Sequence, residues 1–433
     1  MNSGIADFLG IGIPAVVAGM LLLGLMVQRE LGPFAGLGPG GKWLLSGALG
    51  MGLLAFVLKI GVAVALSSHP ESTVDRLTRN GLVPPAMPDD GRGFANPMPP
   101  RPRQYVWETL PGQAPEPADN PSNPAKVALG RRLFEERRLS GDGTLSCASC
   151  HDLDAQAGGD GRPTALGIAG QTGPRNVPTV WNAAFQAVLF WDGRAPSLEA
   201  QARGPILNTI EMGLASPAEA ERRLAADPTY RAQFVQAFGD ETIAFERIVQ
   251  AIAAFERTLI AADTPYDRFV RGDAGALTPA QRRGMALFES VGCVLCHRGP
   301  NFSDASLLGG EDALRYFPAT PTRYDSKYPL LVDGKPGVWR VPSLRNVALT
   351  GPWLHNGSVD RLDEVVRIMA GAQLGRSGEL MTWLDADRSL DRIDRSPLGE
   401  AQVADLVAFL EALSSDRLRA KAAAGARRPS RPS

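Results

Sequence analysis

Two apolar runs open the chain. Phe8 to Val27 is uncharged, with Pro14 near its start, and Trp43 to Leu66 is broken only by Lys59. Each is close to the ~20 residues that a helix needs to span a bilayer. The link between them carries Arg29 and Lys42, whereas the extreme N-terminus has Asp7 and no base. Basic loops stay cytoplasmic, so the pattern predicts a transmembrane hairpin within residues 1–70 whose ends both face outward. Lys59 lies near the outer end of its helix and can snorkel. The rival reading is a signal peptide cleaved after Ala63-Val64-Ala65, a small-x-small pattern. His69, just beyond, reads as a solvated surface residue.

Residues 71–125 lose this apolar character. Pro84 to Pro124 holds twelve prolines, which predicts an extended linker, with Tyr105 and Trp107 docking part of it onto the body. Helical periodicity then takes over. Val127 to Phe134 reads as a short amphipathic helix. Ser216-Pro-Ala-Glu219 and Thr278-Pro-Ala-Gln281 read as capping boxes with proline at the first helical position. Ile248, Ile252, Phe255 and Leu259 form one stripe between Ile243 and Leu259, and Val403, Leu406, Val407 and Leu410 form another. No long alternating strand pattern appears. The tail over 421–433 is basic and low in complexity and reads as disordered.

Composition adds little until the cysteines are placed. The 433 residues leave room for two or three domains, and a net charge of −1 gives no basic patch for nucleic acid. All four cysteines, however, fall in C-x-x-C-H motifs: Cys147-Ala-Ser-Cys150-His151 and Cys293-Val-Leu-Cys296-His297. This is the attachment signature of c-type haem, with two thioethers to the porphyrin and the histidine on the iron. Zinc would want both cysteine pairs on one metal and would leave the histidines superfluous. A redox dithiol has no need of the histidines either. Covalent haem c is assembled outside the bacterial cytoplasm, on the side to which the hairpin would deliver the rest of the chain. A weak repeat supports two domains, since a helix ending in Leu-Phe-Glu precedes each motif. The expected fold is mainly α, with two cytochrome c-like haem domains over residues 126–265 and 266–420. The hairpin and the proline-rich linker precede them.

Between about residues 125 and 415 the chain resembles the bacterial dihaem cytochrome c peroxidase and MauG-like superfamily. The resemblance rests on ordered blocks: LFEERRLSGDGTLSCASCH, RNVPTVWNAAF, FWDGRAPSLEAQARGPILNTIEMG, GCVLCHRGPNFSD, VPSLRNVALTGPWLHNGS and IMAGAQLG. It implies a tryptophan between the haems, matched by Trp191, and a glutamate over the open face of the first haem, matched by Glu211. Gln201 and Pro205 match the family's spacing between them. A carboxylate in a confined pocket suits proton transfer within bound peroxide, and an indole between haems suits electron transfer. Taken outside the block, Trp191 would read as core and Glu211 as a turn cap.

The resemblance also implies the remaining ligands. The peroxidase branch blocks its first haem with a histidine in a Thr-x-Leu-Gly-His loop, but this chain reads Thr164-Ala-Leu-Gly-Ile168. Isoleucine cannot bind iron, so the first haem is expected open, as in the MauG-like branch. Met369 stands fourteen residues after His355 and matches the methionine of the second haem. A His/Met pair raises a haem's potential. Met369 also continues an apolar stripe with Leu362, Val365 and Val366, an ordinary core pattern. His355 is expected to anchor a loop. The family's calcium would be held by the Asn176 side chain and the carbonyls of Thr350 and Pro352, a set of hard oxygens; read alone, Asn176 would tie a turn. The expected activity is peroxide reduction by an enzyme of the bacterial inner membrane, its haem domains in the periplasm. A small cytochrome c, a cupredoxin or a quinol would supply electrons, and a homodimer is one possible assembly. The alternatives are a MauG-like enzyme that oxidises a residue of a partner protein and a non-enzymatic dihaem carrier.

Overall fold

A computed structural model describes residues 22–23, 25–29, 36, 38–51, 105–310, 312–319, 322, 324–373 and 398–425. The chain divides into two compact units, residues 1–80 and 81–433. In the first unit, residues 25–28 and 39–51 are helical. Among the described residues no helix is long and apolar enough to cross a membrane. Most of both apolar runs, the Ala63–Ala65 cleavage site, His69, the linker up to residue 104 and the tail beyond residue 425 lie outside the described residues.

The second unit is mainly helical. Its helices are α1 (Pro124–Phe134), α2 (Leu198–Leu207), α3 (Pro217–Ala225), α4 (Pro228–Phe238), α5 (Phe245–Glu256), α6 (Pro265–Val270), α7 (Pro279–Ser290), α8 (Leu362–Ala372), α9 (Glu400–Ala412) and α10 (Asp416–Gly425). A short antiparallel pair, β1 (Leu314–Phe317) and β2 (Gly337–Arg340), was not visible as alternation. Four residues per strand are too few to declare a period of two. Thr278 and Gln281 form the full capping box expected of α7. Ser216 caps α3, but Glu219 turns to Arg223 instead of completing the box. Residues 421–425, expected in a disordered tail, form the last turn of α10. That turn is held by Lys421 on Asp154 at 2.5 Å.

Two apolar cores result. The first gathers Leu133, Phe134, Phe234, Ile248, Ile252 and Leu259, and α10 returns Leu418 to it. The second gathers Phe288, Phe302, Leu406 and Phe409 around Trp107, which is buried with ring centroids 5.8–6.5 Å from four neighbours. Tyr105 accepts the Gly299 N–H at 2.5 Å. Tyr105 and Trp107 are thus both docked, as expected. Against Tyr266 and Phe302, Arg345 and Asp267 form a fully buried bidentate pair at 2.7 and 3.0 Å, and Arg345 also holds the Pro300 carbonyl.

Each core is closed by the same helix crossing. α1 meets α5 at Gly130 and α7 meets α9 at Gly284, so closely that a Cβ would overlap the carbonyl of Ala251 or Asp405. Phe134 lies edge-on to Phe255 at 5.4 Å, and Phe288 lies edge-on to Phe409 at 5.3 Å. Glycine is required here for approach, not for a special backbone angle. Gly130→Ala and Gly284→Ala are each expected to lower stability by about 1–3 kcal/mol through overpacking, read by denaturant unfolding of the holoprotein. Unchanged midpoints would show that the helices can separate freely.

Candidate functional site

The haem-attachment motifs are shaped by local hydrogen bonds. Ser149 Oγ accepts from Ser146 N and starts the turn Cys147–Cys150, which projects both thiols from one side. His151 N donates to Cys147 O at 2.9 Å, and its Nδ1 lies 2.9 Å from Gly158 O. In the second motif His297 N donates to Cys293 O, and its Nδ1 lies 3.0 Å from Phe302 O. A carbonyl can only accept, so each Nδ1 carries the proton and each Nε2 keeps its lone pair for a metal. Burial holds both imidazoles below the usual histidine range, in the neutral form that ligates. All four cysteines are free. Cys147 lines the first core and Cys293 the second, and among the described residues no three His, Cys, Asp or Glu side chains converge. The donor set therefore fits two separate haems and does not fit one shared zinc.

Beyond the motifs the two halves repeat each other at a constant separation of 164 residues. Val177-Pro-Thr-x-x-Asn182 answers Val341-Pro-Ser-x-x-Asn346. Asn182 and Asn346 both have φ 62°, and each starts a short 3-10 turn. Phe190 and Leu354 share left-handed φ values of 64° and 71°. The bridge Leu189–Ala195 matches Trp353–Val359. The halves also exchange backbone bonds: Asn176 N donates to His355 O at 3.0 Å, and Arg340 N donates to Trp191 O at 2.7 Å. Those four residues are two pairs at the same separation. The symmetry carries on into α2 and α8, which begin at Leu198 and Leu362. Pro205 of the first half therefore takes the place of Met369 in the second.

Glu211 sits just past α2, in a turn packed on the loop of Ile168. Ile168 N donates to Glu211 O at 2.9 Å, and Gly167 lies so close to Ile210 that any side chain would overlap it. Asn208 Nδ2 donates to Glu211 Oε1 at 2.9 Å. Burial raises the Glu211 pKa above the usual carboxylate range, partly offset by the Arg194 cation and the Asn208 amide. Cys150 Sγ reaches the Leu166 carbonyl at 3.9 Å, so the loop that packs on the Glu211 turn also touches the first attachment turn. Gln201 and Pro205 stand one turn apart on α2, hence on one face. Pro205 has no N–H to give the Gln201 carbonyl, so the helix is locally unpaired there.

Trp191 lies where the halves meet. Its Nε1 donates to Asn176 O at 2.8 Å, and its ring is edge-on to His355 at 6.5 Å. His355 is buried and stacks on Trp339 at 4.3 Å, and the Arg175 guanidinium lies over the same indole at 4.8 Å. Burial, helped by Arg175, pushes His355 down to about 4, so it is neutral. Met369 is half-buried on α8 and packs, with Trp191, into the cluster formed by Phe317, Leu354 and Trp339. Asn176 Nδ2 donates to Arg162 O at 2.9 Å, which leaves its Oδ1 as an acceptor. Asn208, Trp339, Arg175 and the 164-residue repeat escaped the sequence reading. The repeat alone had a visible signal, in its Val-Pro-Thr/Ser-x-x-Asn blocks.

Comparisons with known proteins point to one family. The profile of the di-haem cytochrome c peroxidase family matches residues 124–275. The chain is 38% identical over 312 residues to cytochrome c peroxidase Ccp of Escherichia coli, covering 69% of this chain but only 60% of that protein. It is 36% identical to the cytochrome c551 peroxidase of Pseudomonas aeruginosa, covering 72% of this chain and 86% of the relative. It is 35% identical to methylamine utilization protein MauG of Methylophilus methylotrophus, covering 72% and 89%. Among solved structures, a MauG-like protein associated with microbial copper homeostasis superposes with a TM-score of 0.60 at 34% identity, covering 72% of this chain and 95% of that one. The chain belongs to the di-haem cytochrome c peroxidase and MauG family of peroxidase-type oxidoreductases.

Proposed function

We propose that the chain is a membrane-tethered dihaem peroxidase of the bacterial periplasm. It would reduce hydrogen peroxide at the first haem with electrons entering through the second. The haem domains span residues 126–265 and 266–420, with the N-terminal apolar runs as the tether. The observation that carries the reading is the half-buried Glu211 carboxyl in a turn bonded to Ile168 and Pro205, neither of which offers iron a ligand.

Haem c bound through Cys147, Cys150 and His151 supplies an iron that binds peroxide and changes charge one electron at a time. Glu211 would accept a proton from one oxygen of peroxide and return it to the other. Asn208 fixes the Glu211 carboxylate for this transfer. Gln201 lines the same face and orients the oxidant. Trp191, held through Asn176, carries electrons between the halves. Met369 and His297 would hold the iron of the second haem. Asn176 Oδ1 and the carbonyls of Thr350 and Pro352 suit a calcium ion, whose remaining positions waters would fill. The donor is a small cytochrome c, a cupredoxin or a membrane quinol. Assays of peroxide turnover with each reduced donor test this; no turnover with any of them would contradict it.

The proton transfer requires ionised Glu211. Activity is therefore expected at high pH and lost as pH falls through the Glu211 pKa, at a higher pH than for an ordinary carboxylate. Asn208→Ala removes a bond that favours the ionised form, so the acid limb of kcat/KM should move to higher pH. An unmoved limb would assign it to another group.

A second reading rests on Ile168. A first haem free of the loop histidine also suits a MauG-like enzyme that oxidises a residue, such as tryptophan, of a partner protein. Both activities use peroxide, so the electron source separates them. Rapid multiple turnover with a reduced cytochrome supports the peroxidase; turnover only with a partner protein supports the second reading.

A further inference from the structure

Helices α5 and α9 close the two cores in one register, so their residues can be compared place by place. Phe255 answers Phe409, each edge-on to its partner phenylalanine. Leu259 answers Leu413, whose carbonyls receive the N–H groups of Asn182 and Asn346. Ala261 N and Ser415 N in turn donate to the side chains of those same asparagines. One position after the phenylalanine, the second half places Leu410 in its core. The first half places Glu256.

A carboxyl at that place is costly. Glu256 is 4% exposed, and its Oε2 has no hydrogen-bond partner. Burying a carboxylate without a partner costs far more than burying a leucine. The neighbouring Arg257 does not pair with it; its guanidinium turns to Glu199 at 2.7 Å. The charged groups that act on Glu256 are Arg257 on its own helix and Glu199 from α2. On α1, Lys126 is turned away to Asn120 and the Pro121 carbonyl. On α3, Glu221 receives the Phe245 N–H at the other end of α5. Burial, opposed by Arg257 and helped by Glu199, pushes Glu256 up to about 8. Glu256 in turn acts on Cys147, as Glu211 acts on Cys150. The end of α5 reaches the first motif through Phe134, whose ring centroid lies 5.4 Å from Phe255 and 6.4 Å from His151. Nothing comparable acts on Cys293.

We propose that Glu256 is a proton-holding group coupled to the electron count of the first haem. It takes one proton from solvent as that haem gains one electron from the donor, and releases the proton when the electron leaves. The charge of the buried site is then unchanged in either direction. The coupling follows from low polarisability around a fixed carboxylate, which repels an added electron until it is neutralised. This role rests on the reading that Cys147, Cys150 and His151 hold a haem.

Potentiometric titration of the holoprotein tests it, with the two haems followed separately by their spectra between about pH 6 and 9, around an ordinary buried-carboxyl range. The first haem's midpoint is expected to fall by up to about 59 mV per pH unit, one proton per electron. Glu256→Gln, which keeps the side-chain shape, and Glu256→Leu, which copies the second half, should flatten that slope. Glu211→Gln should retain it. A flat wild-type slope, or a slope that survives Glu256→Gln, would overturn the proposal with two haems still bound. A haem count below two would instead remove the site reading on which it rests.

Discussion

Glu211→Gln is expected to lower peroxide turnover by about 10²–10⁴-fold while leaving both haem spectra near those of the wild type. Glutamine keeps the shape of the side chain and can still meet the Asn208 amide through its carbonyl oxygen. What it loses is the capacity to accept and return a proton. The Glu211 turn is held by backbone bonds independent of the carboxyl, from Ile168 N to Glu211 O and from Met212 N to Pro205 O. The fold of the pocket therefore survives the substitution, and a fall in rate reports the proton transfer. Stopped-flow kinetics with a reduced donor measures it. Undiminished turnover would remove Glu211 from the chemistry and leave it a pocket-lining residue.

Pro205→Met is expected to close the first iron. The 164-residue symmetry runs without a gap from Asn176 and Arg340, through Trp191 and His355, to the starts of α2 and α8. A methionine at position 205 then stands on its helix as Met369 stands on α8. The added sulfur should convert the first haem from high-spin to low-spin, abolish cyanide binding and stop turnover. The reverse change, Met369→Leu, should open the second haem and lower its potential, since a thioether ligand raises it. Optical and EPR spectra of the two variants report both effects. A Pro205→Met protein that stays high-spin would show that the symmetry of the backbone does not extend to the irons.

The chemistry of attachment was legible because C-x-x-C-H compresses two thioether anchors and one iron ligand into five residues, and its local hydrogen bonds need nothing distant. Helices α5 and α9 were legible from their apolar stripes, α1 from the amphipathic run Val127–Phe134 and α7 from its Thr278–Gln281 capping box. The reason for their crossing was not, since Gly130 and Gly284 look like ordinary helix-weakening residues until Ala251 and Asp405 are brought against them. Glu211 was found through its block, but Asn208, which holds it, carries no pattern of its own. Trp339 stacks on His355 from a strand sixteen residues away, and Arg175 reaches over Trp339 from the other half of the chain. Glu256 sat within a helical stripe and gave no sign of being the one carboxyl where its counterpart is Leu410. Each of these depends on contacts between residues far apart in sequence, which periodicity does not encode.

The most direct test is the EPR spectrum of the resting, fully oxidised holoprotein before and after cyanide. One high-spin and one low-spin centre in equal amounts are expected, with cyanide converting only the high-spin one. Two low-spin centres, both indifferent to cyanide, would contradict the assignment of Ile168 and Pro205 as the non-ligating neighbours of an open iron.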